Sequence, residues 1–81
     1  MTKHAKYDIE SVTPDAVRIR DEGPWDLHKT ITNDAEWVVR QLYEAGYLRG
    51  QQKLYYWDSE GRMDEIEHYN GQFIGFKFLP T

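Results

Sequence analysis

The chain has 81 residues, no cysteine and a formal net charge of −4. That length allows one domain with a small core, because so short a chain buries only about 60–65 % of the surface it exposes when unfolded. The missing cysteine excludes a disulfide framework, a thiolate nucleophile and a cysteine-ligated zinc, and the acidic balance disfavours a nucleic-acid backbone as direct partner.

Residues 1–6 are polar, aperiodic and without an anchor before Tyr7, so a flexible N-terminus is expected there, followed by a single domain over 7–81. The first ten residues contain no apolar signal-peptide segment. No apolar run approaches the ~20 residues of a membrane span. A cytoplasmic protein without a membrane partner is the expectation.

Two short β-like runs follow, Tyr7–Val12 and Ala16–Arg20, with Thr13-Pro14-Asp15 between them as turn chemistry. In the second run Val17 and Ile19 alternate with Ala16, Arg18 and Arg20, the pattern of a half-buried strand. The stretch 21–30 reads as a loop from its Gly23-Pro24 pair, with Trp25 and Leu27 tucking it onto the body. Next comes the clearest helix signal, over Asp34–Ala45. Asn33 is the expected N-cap, with Glu36 three residues on as in a capping box. Ala35, Val38, Val39, Leu42 and Ala45 form one apolar stripe, and Gly46 suits the residue just past the helix end. About three turns of helix cannot stand alone in water, so this one must lie on something.

A C-terminal meander supplies that surface: Lys53–Trp57, Arg62–Tyr69 and Gln72–Leu79 read as strands, and Pro80 stops the last. Asp58-Ser59-Glu60-Gly61 forms the first turn. Asn70-Gly71 is the strongest short hairpin turn in the chain. A two-residue turn pairs Tyr69 with Gln72 and sets Glu67 opposite Ile74. A three-residue turn with a bulge instead sets Ile66 opposite Ile74, and the local sequence is compatible with both. The fold expected is α+β, one helix packed on an antiparallel sheet of about five strands in the order β-β-α-β-β-β. Its core should hold Val17, Ile19, Val38, Leu42, Leu54, Ile66 and Ile74, with some of Phe73, Phe76 and Phe78.

The acids Asp58, Glu60, Asp64, Glu65 and Glu67 crowd the meander. Strand alternation divides them in either register: Glu65 and Glu67 share a face with Met63 and Tyr69, whereas Asp64 lies with Ile66 and His68. No tight five-acid constellation results, and a solvated strand face is the reading favoured over a cation site or paired-carboxylate chemistry. His4, His28 and His68 have no metal-ligand spacing. There is no GxSxG, P-loop or GxGxxG motif. A chain of this size has little room for a deep pocket of several hundred Å³. No catalytic residue, metal or cofactor is therefore expected. The consecutive Tyr55, Tyr56 and Trp57 must alternate between faces, so at least one ring points away from the helix, where Tyr and Trp make good binding anchors. Stacking of nucleic-acid bases on such a sheet is disfavoured by the lack of a basic groove.

The runs TITNDAEWVVRQLY and YYWDSEGRMDEIEHYNGQFIGF, within residues 30–76, resemble short bacterial and phage proteins of unassigned function that carry a TNDAE helix and a YxDSxGRxDE hairpin. In size, acidity and absence of cysteine and of a catalytic motif, the chain also resembles the small acidic anti-CRISPR proteins of phages and mobile elements. That second resemblance implies a non-enzymatic inhibitor that covers a basic, nucleic-acid-binding protein surface. Asp58, Glu60, Glu65 and Glu67 would be its contacts, with Tyr55 or Trp57 as anchors. Two alternatives stand beside it: a small homodimeric regulatory or assembly protein, and a small enzyme using Glu65, Glu67 or His68.

Overall fold

A computed structural model of the chain describes residues 4–22, 30–57 and 61–77. The order of elements is β1 (Tyr7–Val12), β2 (Ala16–Asp21), α1 (Ala35–Glu44), β3 (Lys53–Trp57), β4 (Met63–Tyr69) and β5 (Gln72–Lys77). The α+β class and the β-β-α-β-β-β order are those expected. The five strands form one sheet in sequence order. Among the described residues no helix is long and apolar enough to cross a membrane. Trp25, Leu27 and Phe78, given roles in the loop and core above, lie outside the described residues.

The sheet is mixed rather than wholly antiparallel. Three strand pairs are antiparallel, but β2 and β3 run parallel, with Val17 beside Leu54 and Ile19 beside Tyr56. The cause lies in the connection. A chain that leaves β2, crosses one face as a helix and returns beside β2 must re-enter in the same direction.

Val17, Ile19, Ile31, Val38, Val39, Leu42, Leu48, Leu54, Tyr56 and Ile66 make the core. Phe73 and Phe76 lean against it, Phe76 also approaching Tyr56. Ile74, expected inside, is 61 % exposed. The hairpin explains this. Asn70 and Gly71 both take positive φ, as a two-residue type I′ turn requires, and Tyr69 pairs with Gln72 and His68 with Phe73. The register then slips, so that Glu67 faces Gly75 and Ile66 faces Phe76. Ile74 is the extra residue of that bulge.

The helix buries Ala35, Val38, Val39 and Leu42; Ala45 at its end is exposed. Its C-terminus closes as expected. Gly46 takes φ +84, Tyr47 N donates to Leu42 O at 3.0 Å, and Gly46 N donates to Tyr43 O at 3.1 Å, a Schellman arrangement. The N-terminus differs from expectation. Asp34, not Asn33, is the N-cap residue, and its side chain makes no cap bond. Its buried carboxylate instead accepts from Ala5 N and lies 2.9 Å from His4 Nδ1. His4 stacks on Trp37, with centroids 4.1 Å apart, and Ala5 is buried in the core cluster. From His4 onward, then, the segment expected to be loose is fastened to the helix.

Asp34→Ala should cost about 2 kcal/mol, since it leaves the buried Ala5 N–H without its acceptor. Urea unfolding measures the loss, and a change under about 0.5 kcal/mol would contradict the anchoring role. Beside this anchor, burial and then the nearby Tyr47 raise the Tyr7 phenol above its ordinary 10.0. A raised folded value means stability is full below pH about 10 and declines as pH climbs past it, because unfolding then releases a proton. Melting curves across this alkaline range should fall more steeply for wild type than for Tyr7→Phe. Parallel declines would contradict the assignment.

Candidate functional site

Alternation along β3 sends Leu54 and Tyr56 into the core, so Lys53, Tyr55 and Trp57 project from the opposite face. No described element covers that face. Pairing brings neighbours into rows: Tyr55 lies beside Arg18 and opposite Glu65, and Glu65 faces Lys77. Two residues along, Trp57 lies beside Arg20 and opposite Met63, while Arg20 faces Asp8. The two rows are ~7 Å apart, two residues of strand rise. The Arg18 guanidinium carbon sits 5.8 Å from the Tyr55 ring centroid, within cation–π range. Arg20 Nε donates to Glu10 at 3.4 Å, an exposed pair that contributes little.

The face therefore carries charge in stripes: acid on β1, base on β2, aromatic rings on β3, acid on β4 and Lys77 on β5. It gathers four of the six residues singled out from the sequence, Tyr55, Trp57, Glu65 and Glu67. Asp58 and Glu60 lie outside the described residues. Asp64 turns to the helix side, where the Tyr56 hydroxyl donates to it at 3.2 Å and also lies 3.2 Å from Thr32 Oγ1. The acids divide as alternation requires.

Glu65, Glu67 and His68 do not converge. His68 lies on the helix side with Ile66, and its Nε2–H donates to the Gln52 carbonyl. Of the other histidines, His4 is held by Asp34 and His28 lies outside the described residues. Among the described residues no group of three or more potential ligands could hold a metal ion. Two acids that drew no attention in the sequence do meet at the sheet margin. The Glu22 carboxyl, though exposed, is raised above its ordinary range, first by a hydrogen bond with Asp8, then by slight desolvation and by the Asp8 charge, against the pull of Lys6.

Sequence reasoning also missed the cations. Arg18 and Lys53 border an open recess of about 800 Å³ at the start of β2 and β3, with Arg49, Gln51, Gln52 and Tyr55. Size alone had argued against a deep pocket of that volume, and this one is a broad surface depression rather than an enclosed cavity. Gln52 braces its wall, donating to Thr13 O at 2.6 Å and accepting from Arg49 N at 2.7 Å. The alternation Arg18-Ile19-Arg20 was the available signal, but its weight depends on β3 lying alongside.

The fold and this face together define a small α+β protein with one side of its sheet under a helix and the other open. No family model matches the chain, and no curated protein or solved structure is significantly similar to it.

Proposed function

We propose that this chain is a non-enzymatic protein-binding module acting through the open face, an inhibitor that covers a basic, nucleic-acid-binding surface of a larger complex. One observation carries the reading. Tyr55 and Trp57 stand two residues apart on the central strand, beside Glu65 and Glu67, on a face that no described element covers. Rings held on a strand contribute contact area at small entropic cost. The acids add orientation and association rate more than affinity, because Glu65 already faces Lys77.

Glu65→Lys with Glu67→Lys should leave the fold intact and slow association with the partner about tenfold at low salt, with the difference shrinking at high salt. Capture of the same partner in equal amounts by both proteins at both salts would contradict it.

A second reading, self-association through the edge of β5, is favoured by the exposed Ile74. It requires a sedimentation mass that rises with concentration, and a constant monomer mass at high micromolar concentration overturns it.

A further inference from the structure

The geometry points to a second ligand on the same face, a single-stranded nucleic acid. Its bases would lie over Tyr55 and Trp57, with its phosphates along Arg18, Lys53 and Arg49; Arg20 is already paired with Glu10. This goes beyond the protein-binding reading and uses the opposite half of the charge pattern.

Parallel pairing of β2 with β3 is what builds the site. It sets Arg18 beside Tyr55 and Arg20 beside Trp57, and it brings Lys53 level with Ala16. The outward residues of these two strands are thus Ala16, Arg18, Arg20, Lys53, Tyr55 and Trp57, with no acid among them. Arg49 adds a further cation at the recess, where Asp15 is the one carboxylate among the lining residues. Cations that track a backbone beside rings that stack bases are the two components of sequence-tolerant single-strand binding.

Several details favour a strand over a simple anion. The two rings are ~7 Å apart along β3, which suits successive bases of an extended strand rather than a single ring. Arg18 is already held over the Tyr55 ring, and its planar fork of donors matches phosphate oxygens. The recess at the start of β2 and β3 is large enough for a nucleotide unit. Acids flank the two strands on both sides, Asp8 and Glu10 on β1 and Glu65 and Glu67 on β4. They repel phosphate, so the backbone is confined to the recess at Arg18, Lys53 and Arg49 and the bases reach over β3. The overall charge of −4 is spread away from the recess: Glu36 and Glu44 belong to α1, on the other side of the sheet, and the open-face acids Asp8, Glu10, Glu65 and Glu67 lie on the flanking strands β1 and β4.

The test is fluorescence anisotropy of a labelled oligothymidylate titrated with the full chain. Binding should weaken about 10–20-fold between 50 and 200 mM salt, as expected for roughly three phosphate contacts on a single strand. Arg18→Gln with Lys53→Gln, both exposed positions, should lower affinity at least tenfold with an unchanged circular dichroism spectrum. Unlabelled thymidine monophosphate should compete only at far higher concentration than unlabelled oligonucleotide. Equal competition would place a free nucleotide, not a strand, in the site and overturn the proposal. So would absence of binding at low salt, or full binding by the double variant. Glu65→Lys with Glu67→Lys separates this idea from the protein-binding reading. It should strengthen oligonucleotide binding while weakening protein capture, so either reading can fail alone.

Discussion

Leu54→Ala lowers the unfolding free energy by about 3–4 kcal/mol, the largest single-residue effect expected on the fold. Leu54 sits on the central strand, between Val17 of β2 and Ile66 of β4, and none of the three is more than 1 % exposed. Removing its isobutyl group forfeits the transfer energy and leaves a void that two ladders of backbone hydrogen bonds keep from collapsing. A domain of this size has about 4–12 kcal/mol in total, so the variant should melt far below wild type and be partly unfolded at moderate urea. Urea unfolding with an unchanged m-value is the measurement. A loss below about 1 kcal/mol would mean that the β2–β3–β4 layer is not the centre of the core.

Tyr55→Ala with Trp57→Ala should have the opposite profile, with little change in fold and at least a hundredfold loss of partner affinity. Hot-spot truncations cost about 2 kcal/mol or more each, which is more than tenfold per ring. Neither ring belongs to the core cluster, so the cost to stability should be about 1 kcal/mol or less, mostly from lost cross-strand contact with Arg18, Glu65 and Met63. Titration calorimetry against the captured partner, beside a urea curve of the same protein, separates the two quantities. If stability collapses and the residual folded fraction binds normally, the rings are structural.

The readings that held are those carried by short-range pattern. The apolar stripe of α1 needs only 3.6-residue spacing. Gly46 and the Asn70-Gly71 pair sit where positive φ is required. The division of Glu65 and Glu67 from Asp64 follows from a period of two, whatever the partner strand does.

What was not legible depends on which strands meet. Ile74 has the composition of a core residue, but the slip between Glu67 and His68 turns it outward. Nothing local marks that slip, because a bulge is a property of two strands together. The parallel β2–β3 pair depends on where the helix returns the chain. The cation group Arg18, Arg20, Arg49 and Lys53 inherits that dependence, and counting charge by segment dilutes it among acids that end up elsewhere. Asp34 reads equally well as a first-turn acid for the helix dipole. Only the return of His4 and Ala5 to the helix start reveals its other task.

The most direct test of the open face as the working surface is one quantitative capture experiment on three proteins. Wild type, Tyr55→Ala with Trp57→Ala, and Glu36→Ala with Arg40→Ala on the exposed helix side would each be immobilised, exposed to the same host lysate and washed at low and then high salt. Mass spectrometry would count what remains. A protein should be retained by wild type and by the helix-side variant but lost from the open-face variant. Retention by the open-face variant together with loss from the helix-side variant would place the binding surface on the helix side of the sheet and overturn the role of Tyr55 and Trp57.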